Sequence, residues 1–519
     1  MKNYMELNLK RESVRDTATI VRLSAVSEES GDVVVPDSLP DIIRIVETDA
    51  HIELKNRETR GGKLYAEAVA HVSAIYVPET GGGLCRLAVS LPLATTFDLE
   101  GVADAAPQTT LRAELLNAVA RELNPRKISV KAVCNFTCAV FESREPTLCT
   151  GLEDGGAAEI KTESRHVHLT SGVYEKLLSV SDSTELAAAA ADCSEILKYD
   201  TEIRTTDCKQ IKNKVILKGE VAVSLLTLGS GEEKTVKNTE AVIPFAGVVD
   251  CDGVTEETAV DLSYQIADCE LNIVTESGTN RPLLAAKMNL LVGVEAWEER
   301  EICYISDAYS VSCPMECETE ALKFRAAGRP VDIRQARRET IASGVTIKSV
   351  YMCSVSAENG AYHQTETGWE AAADVKIKLI LEAEDGGVYS LVKNVAVSAP
   401  ADGGAFEVGA LTVTDKSFHI SGNEDVEIRF TAVFHLLPAG GETFTQISAM
   451  RLLEPETKNK RQPSLTLCYA GAGESFWQLG KRLSATVADI QTANGLSGEF
   501  PPDGKLLLVP RRSQTEGRL

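Results

Sequence analysis

Aromatic side chains are scarce in this chain, at 5% of 519 residues. Its cores must therefore be filled by Val, Leu, Ile and Ala rather than by stacked rings. A hydrophobic content of 44% supplies enough of them. Positive charge is also in deficit, since 53 Lys and Arg against 76 Asp and Glu leave a net charge of −23. That balance excludes general nucleic-acid binding, which needs cations to neutralise phosphates. It equally disfavours docking of the whole body on an anionic membrane. No apolar run reaches the ~18 residues that a spanning helix requires. The opening stretch MKNYMELNLKRESVRD lacks an apolar h-region, so a cytoplasmic chain is expected.

Signatures of catalysis are missing too. There is no Gly-x4-Gly-Lys-Ser/Thr loop, no His-Glu-x2-His and no Gly-x-Ser-x-Gly. The expectation is a protein that is not an enzyme and holds no cofactor. The seven histidines are scattered, and His166 and His168 fall in the polar stretch ESRHVHLTSG, which reads as a solvated loop. Asp250, Asp252 and Gly253 do not complete a calcium-ligand series and read as a turn. The thirteen cysteines are irregularly spaced, which fits reduced thiols. The closest pairs, Cys134/Cys138 and Cys313/Cys317, lack the further ligands of a zinc site. Positions i and i+4 of a strand share a face, so the first pair reads as two small buried residues.

What is present is a repeat. KLYAEAVAHVSAIYV from Lys63 returns as KVILKGEVAVSLLTL from Lys214. The offset of 151 pairs Ile52 with Ile203, Ala68 with Gly219 and Val72 with Val223. A fainter third copy sets Val375 on Val221, and its upstream part is expected to be rebuilt. Val215, Leu217, Val221, Val223 and Leu225 alternate with Lys218, Glu220 and Ser224, the period of half-buried strands. Turns such as PETGGG, GSGEEK and EAEDGG then close hairpins. At roughly 100–200 residues per domain the length allows about three or four domains. The expected fold is mainly β: three tandem antiparallel sandwich- or barrel-like units near 33–145 (within 1–145), 183–311 and 339–453. Polar or glycine-rich pieces are expected to join them. The entry VVVPDSLPDIIRIV of copy one becomes AAAAAD at 187–192 in copy two, which loses the proline constraints and is free to form a helical turn.

The C-terminal part differs. EPETKNKRQP, residues 454–463, reads as a linker. A small βααβ unit follows over 464–511. Ser475 with Gln478 forms a capping box, and Phe476, Leu479 and Leu483 make the apolar stripe behind it. Thr486 with Asp489 caps a second helix, which Asn494 and Gly495 stop. Lys481 and Arg482 suit the C-terminal end of the first helix dipole. Trp477 reads as core rather than as a sugar platform.

The repeats resemble SPOCS domains, modules of bacterial spore coat morphogenetic proteins. The resemblance rests on VPDSLPDIIRIV, AEAVAHVSAIYV, the proline of LPL, and NPRKISVKAV at 124–133. The C-terminal unit resembles a LysM module through Gly473-Glu474-Ser475, Trp477, Lys481-Arg482, Asn494-Gly495-Leu496 and PPDGKLLLVP. It departs from that pattern at Cys468, Gly471-Ala472, Glu474 and Gly480. Three SPOCS-like repeats followed by LysM are similar to the arrangement in SipL-type proteins. The resemblance implies a groove lined by Gly473, Glu474, Ser475, Phe476, Asn494, Gly495 and Leu496. It also implies a scaffold or adaptor in the mother-cell cytoplasm, at the forespore surface. Its partners would be a coat morphogenetic ATPase and other spore coat proteins. The alternative is a module that binds peptidoglycan, its precursors or other N-acetylglucosamine polymers.

Overall fold

A computed structural model describes residues 4–81, 83–101, 107–153, 158–187, 193–230, 234–275, 282–453 and 464–511. The chain is mainly β, and among the described residues its two short helices both lie near the C-terminus. The poly-alanine stretch at 188–192 and the linker at 454–463 lie outside the described residues.

The first unit consists of two three-stranded antiparallel sheets. One orders Asp16–Val34, Lys127–Arg144 and Gln108–Asn124; the other orders Ile42–Arg60, Lys63–Pro78 and Cys85–Asp98. Period-two alternation sends Leu64, Ala66, Ala68, Ala70, Val72 and Ala74 inward from one central strand. Ile128, Val130, Ala132, Cys134, Phe136, Cys138 and Val140 face them from the other. Each fully buried Val, Leu or Phe stabilises the fold by about 1.5–3 kcal/mol. The two cysteines share the inner face of one strand, and burial pushes both thiols up to about 11. All thirteen cysteines of the chain are free thiols.

Both proline-bearing motifs of this unit meet at one corner. Arg126 donates to the carbonyls of Val35 and Leu39 at 2.9 and 3.0 Å, and to the carboxylates of Asp37 and Asp41 at 3.0 and 2.8 Å. The Tyr76 hydroxyl donates to the Pro40 carbonyl at 3.0 Å. The third unit closes the same corner with a shorter loop. Ser343 N and Ile347 N bond Glu424 O and Asn423 O, where the first unit uses Val35 N and Ile42 N on Arg126 O and Pro125 O. The Ser343 hydroxyl bonds the carbonyls of Val345 and Glu424, where the first unit has a guanidinium. This is the rebuilding expected upstream of the third copy.

The second and third units repeat the paired sheets around their own cores. Strands of the third run from Val331 to Pro438, so it begins earlier and ends earlier than the repeat alignment places it. The second borrows one end each of two very long strands, Glu159–Glu185 and Pro282–Tyr309.

The other ends of those strands build something the repeats do not announce. The stretches expected as polar joints are mostly strands, Thr147–Leu152, residues 159–170 and Met315–Ala326, and they combine with strands expected inside the units, Tyr4–Glu6, Leu9–Ser13, residues 298–309 and Gly441–Leu453. Leu9–Ser13 and Thr147–Leu152 form a two-stranded sheet of their own, the others pair into a connector sheet, and the two share a core that includes Leu148, Val167, Leu169, Ile302, Tyr304, Phe324 and Phe444. His168 is therefore not in a solvated loop. It is 1% exposed on a central strand, stacked on Trp297 with ring centroids 4.8 Å apart, in a run from Val167 to Thr170 that is buried on both faces because the strand pairs on both sides. Asp252 and Gly253 do form a turn, with Gly253 at φ 89° and its N–H bonded to the Asn213 side chain at 3.0 Å.

The three units close on one another head to tail. Equivalent positions Val46 and Leu197, and Ile75, Leu226 and Ile380, meet in one apolar plug with Met352. Around it each pair of units is tied by charge. First to second, Lys198 reaches Asp49 at 3.0 Å, and the His51 ring stacks on Tyr199 at 4.0 Å. Second to third, Lys416 pairs with Glu202 at 3.0 Å and the Ser354 hydroxyl bonds Asp200. Third to first, Lys378 pairs with Glu47 at 3.0 Å, and Arg44 donates to the Val388 carbonyl at 2.5 Å. One repeat position thus reads Glu47, Lys198 and Met352 in the three units, and the repeat lost its symmetry where the ring needs complementary charge.

Lys198 and Asp49 are 5% and 7% exposed. Burial alone would neutralise both groups. Lys198 instead holds the Asp49 carboxyl below the usual carboxylate range, and Asp49, Asp200 and Glu47 raise the Lys198 ammonium. Removing one partner leaves an uncompensated buried charge. Lys198→Met is expected to cost about 3–5 kcal/mol in urea unfolding, with part of that loss recovered when Asp49→Asn is added.

His435 supplies a pH test of the second–third contact, with Asp332 at 2.7 Å and Asp261 at 3.7 Å. Asp261 and Asp332 hold the imidazolium, raising its pKa to about 9 against the effect of burial. The raised value means the contribution is fully present below an unfolded pKa of about 6.5 and is lost as pH rises through the folded one. Stability should fall between those limits in wild type, and Asp261→Asn should flatten that part of the profile.

Candidate functional site: the C-terminal unit and its seat

The C-terminal unit pairs Leu465–Tyr469 with Leu506–Pro510 and places two helices between them, α1 (Phe476–Leu483) and α2 (Val487–Asn494). Its ends are set locally. The Ser475 hydroxyl accepts from Gln478 N at 3.2 Å, and the Gln478 carbonyl oxygen accepts from Ser475 N at 2.9 Å, a full capping box. Thr486 caps α2 through Asp489 N at 3.0 Å, and Gly495, at φ 61°, ends it. Phe476, Leu479, Ala485, Ile490, Leu507 and Val509 form the core; Ala493 is exposed.

The seven groove candidates fall into two groups. Gly473 and Gly495 are exposed, and Glu474 and Leu496 are half-buried. Glu474 accepts both bonds of the Arg482 fork at 2.8 Å and one from Gly471 N at 2.8 Å, and the guanidinium holds its carboxyl below the usual range. The Phe476 ring is 1% exposed, in the core. Ser475 is buried in its cap. The Asn494 amide donates to Ile490 O and Leu508 O at 2.7 and 2.6 Å, and its oxygen accepts from Leu508 N at 2.8 Å. Asn494 therefore staples α2 to the last strand. The two loops of the expected groove are also joined directly, by Phe476 N on Glu499 O at 2.9 Å.

The unit sits on the connector sheet, in a contact that sequence reasoning missed. A bulge between Lys161 and Thr162 leaves Ser306 unpaired opposite them and re-aims the end of the strand. Asp307 there accepts from Trp477 Nε1 at 2.8 Å and from Lys481 Nζ at 2.6 Å. Burial opposes the Asp307 charge, but these two donors hold its carboxyl below the usual range. The Tyr309 ring meets Trp477 edge-on at 4.8 Å, and its hydroxyl donates to Ala485 O at 2.9 Å. Trp477 is thus half-buried against the body rather than in the unit's own core. Gly480 is explained by the same contact, since a Cβ there would lie 2.5 Å from the Tyr309 hydroxyl and 2.6 Å from Ala485 O. The signal available beforehand was the glycine in a helix interior, a position that usually carries a side chain.

Between unit and sheet lies a cleft of about 450 Å³. Gly473, Ser475, Trp477 and Phe500 line one wall, and Lys161, Glu163 and Asp307 the other.

An arrangement of antiparallel β units with a small helical appendage defines a class of all-β modular proteins without pointing to chemistry. The family comparison is more specific. Residues 192–274 match the family model described as SipL, SPOCS domain. The matched span begins just before Cys193–Ile211, covers the three-stranded sheet of the second unit and ends in the strand Ala259–Thr275. The chain thus carries a SPOCS domain, which points to a sporulation-related role. No curated protein and no solved structure matches the chain. Among the described residues no helix is long and apolar enough to cross a membrane.

The seat and the staple are separable by measurement. Asp307→Ala should release Trp477, read as a red shift and quenching of its emission, while the unfolding midpoint of the ring stays unchanged. Asn494→Ala leaves Leu508 N and O without their partner and should destabilise the C-terminal unit by about 2 kcal/mol.

Proposed function

We propose that this chain is a non-enzymatic scaffold in spore envelope assembly. In this reading it works in the mother cell at the forespore surface. The three-unit body recruits coat components, and the C-terminal unit, a LysM-like module, docks on a coat morphogenetic ATPase. The observation that carries the reading is the SPOCS match in the second unit. The ring geometry supports it: units locked by buried charge keep their outer surfaces in fixed relation, as a platform for several partners requires. Protein rather than glycan recognition by the C-terminal unit is supported by its amides. Asn494, the amide among the groove candidates, is spent inside the fold. The Trp477 N–H is spent on Asp307.

The test uses the full chain and a version lacking 464–519, each mixed with purified coat ATPase and, separately, with sedimented peptidoglycan. Saturable ATPase binding that disappears with the deletion is expected. Saturable peptidoglycan binding without ATPase binding would overturn the reading in favour of the glycan alternative.

A further inference from the structure

We propose that the outer face of one sheet of the third unit docks an extended acidic segment of a partner protein, with carboxylates four residues apart. The sheet is the one that orders Val331–Ala342, Asp425–Pro438 and Phe406–Ser421. The inference rests on the reading of the body as a platform for partners. It adds which unit presents a surface and what chemistry that surface recognises.

Register and alternation lay the face out row by row. Phe430, Ala432 and Phe434 point into the core, so the residues between them point out. On the outer face Thr340, Glu427 and His419 form one row, and Arg338, Arg429 and Ser417 the next. Ala336, Thr431 and Thr414 follow, and then Arg334, Val433 and Thr412. Two arginines thus stand directly opposite each other on neighbouring strands, an arrangement that costs stability. Both donate to Glu427, Arg429 at 2.9 Å, and the His419 ring lies 3.7 Å from the same carboxylate. Glu427 is 2% exposed, beneath arginine side chains that are 66% and 57% exposed, so water meets the guanidiniums rather than the carboxylate. Arg334 is exposed and has no ion-pair partner among the described residues. Asp425 bounds the face at one end, and at the other Asp332 is held by His435 at 2.7 Å. Between those ends three arginines and a histidine stand over one carboxylate, in a chain of net charge −23.

The other two units build the matching face differently. In the first, Lys127 pairs with Asp32 and Lys131 with Glu28, each at 2.7 Å. In the second, Lys287 faces Glu270 in register. The third sets cation against cation and uses arginine, whose planar fork takes a carboxylate through two parallel hydrogen bonds. Arginine clusters recognise acidic segments in this way. Spacing decides the form of the segment. Arg334 and Arg338 are four residues apart on one strand, about 13 Å at the rise of an extended chain. An extended partner repeats its same-face side chains at that interval, so acids at i and i+4 would meet both arginines. A helix brings i and i+4 to within about 6 Å and would not. The short side chains of Ala336, Thr431 and Thr414 between the arginine rows leave the partner backbone room to lie flat.

The experiment follows, by fluorescence anisotropy on the full chain, a labelled peptide with glutamate at every fourth position and threonine and glycine between. Its glutamine counterpart is the blank. Wild type should bind the glutamate peptide and not the blank, and binding should weaken as salt rises. Arg334→Gln leaves the ion pairs of the fold intact and should weaken binding about threefold or more. The neutral set Arg338→Met, Glu427→Gln and Arg429→Met leaves no buried charge behind and should weaken it about tenfold or more. Lys127→Gln on the first unit should bind as wild type. If the glutamate peptide does not bind, or binds both arginine variants as it binds wild type, the inference is wrong, while the platform reading still rests on its own test with the coat ATPase. If the peptide binds as expected and the ATPase does not bind, the acidic-segment surface stands without the ATPase. If a single-stranded oligonucleotide binds more tightly than the peptide and loses affinity with Arg334→Gln, the carboxylate partner is overturned. If wild type sediments as a dimer and Arg334→Gln as a monomer, the occupant is a second copy of this chain and the separate partner is overturned.

Discussion

The body of this protein depends on the buried pair of Lys198 and Asp49. Three β units with separate cores have no reason to stay together unless their junction outweighs the freedom of separate domains. The apolar plug at the junction is small, with Val46, Ile75, Leu84, Leu197, Leu226, Leu228, Met352 and Ile380 as its buried members. A plug alone would allow sliding. A lysine and an aspartate, each nearly fully buried, permit one register only, because any other leaves a charge in an apolar setting. Glu47 with Lys378 and Glu202 with Lys416 repeat the device with more exposed lysines.

The connector sheet does the second part of the work. It takes strands from the N-terminus, from both inter-unit segments and from the segment that follows the third unit. Chain connections that might have been flexible are thereby paired backbone to backbone. The sheet ends in Asp307 and Tyr309, two residues apart on one face of a strand, and these receive the C-terminal unit. Rigidity thus runs from the ring through the sheet to the seat, and the cleft exists because both of its walls are fixed.

How much of this the sequence discloses follows from the range of the forces involved. Alternation in Lys214–Gly229 and its relatives is local, so the strands, the hairpins and the threefold repeat are legible. Helix caps are local too, and Ser475, Thr486 and Gly495 cap where their neighbours require. The connector sheet is not legible, because its strands come from widely separated stretches without a common period. The same reason hides the roles of single residues. Arg126 and the Pro-x3-Pro-Asp entry both read as motif, but their meeting across some eighty-five residues does not show in the spacing. Asn494 and Phe476 carry the expected identities for a groove, yet their side chains serve the interior. Trp477 turned toward a partner surface in the same chain that no periodicity marks. The glycine at 480 was the one trace of that contact.

The central claim is that ring and connector sheet form a single cooperative body rather than beads on a string. Hydrogen exchange followed across a urea titration tests it most directly, read at the central strands Lys63–Pro78, Lys214–Gly229 and Gly368–Ala383. The account requires all three strands to lose protection at one urea concentration. Loss of protection unit by unit, with one strand exchanging freely while the others remain protected, would contradict it.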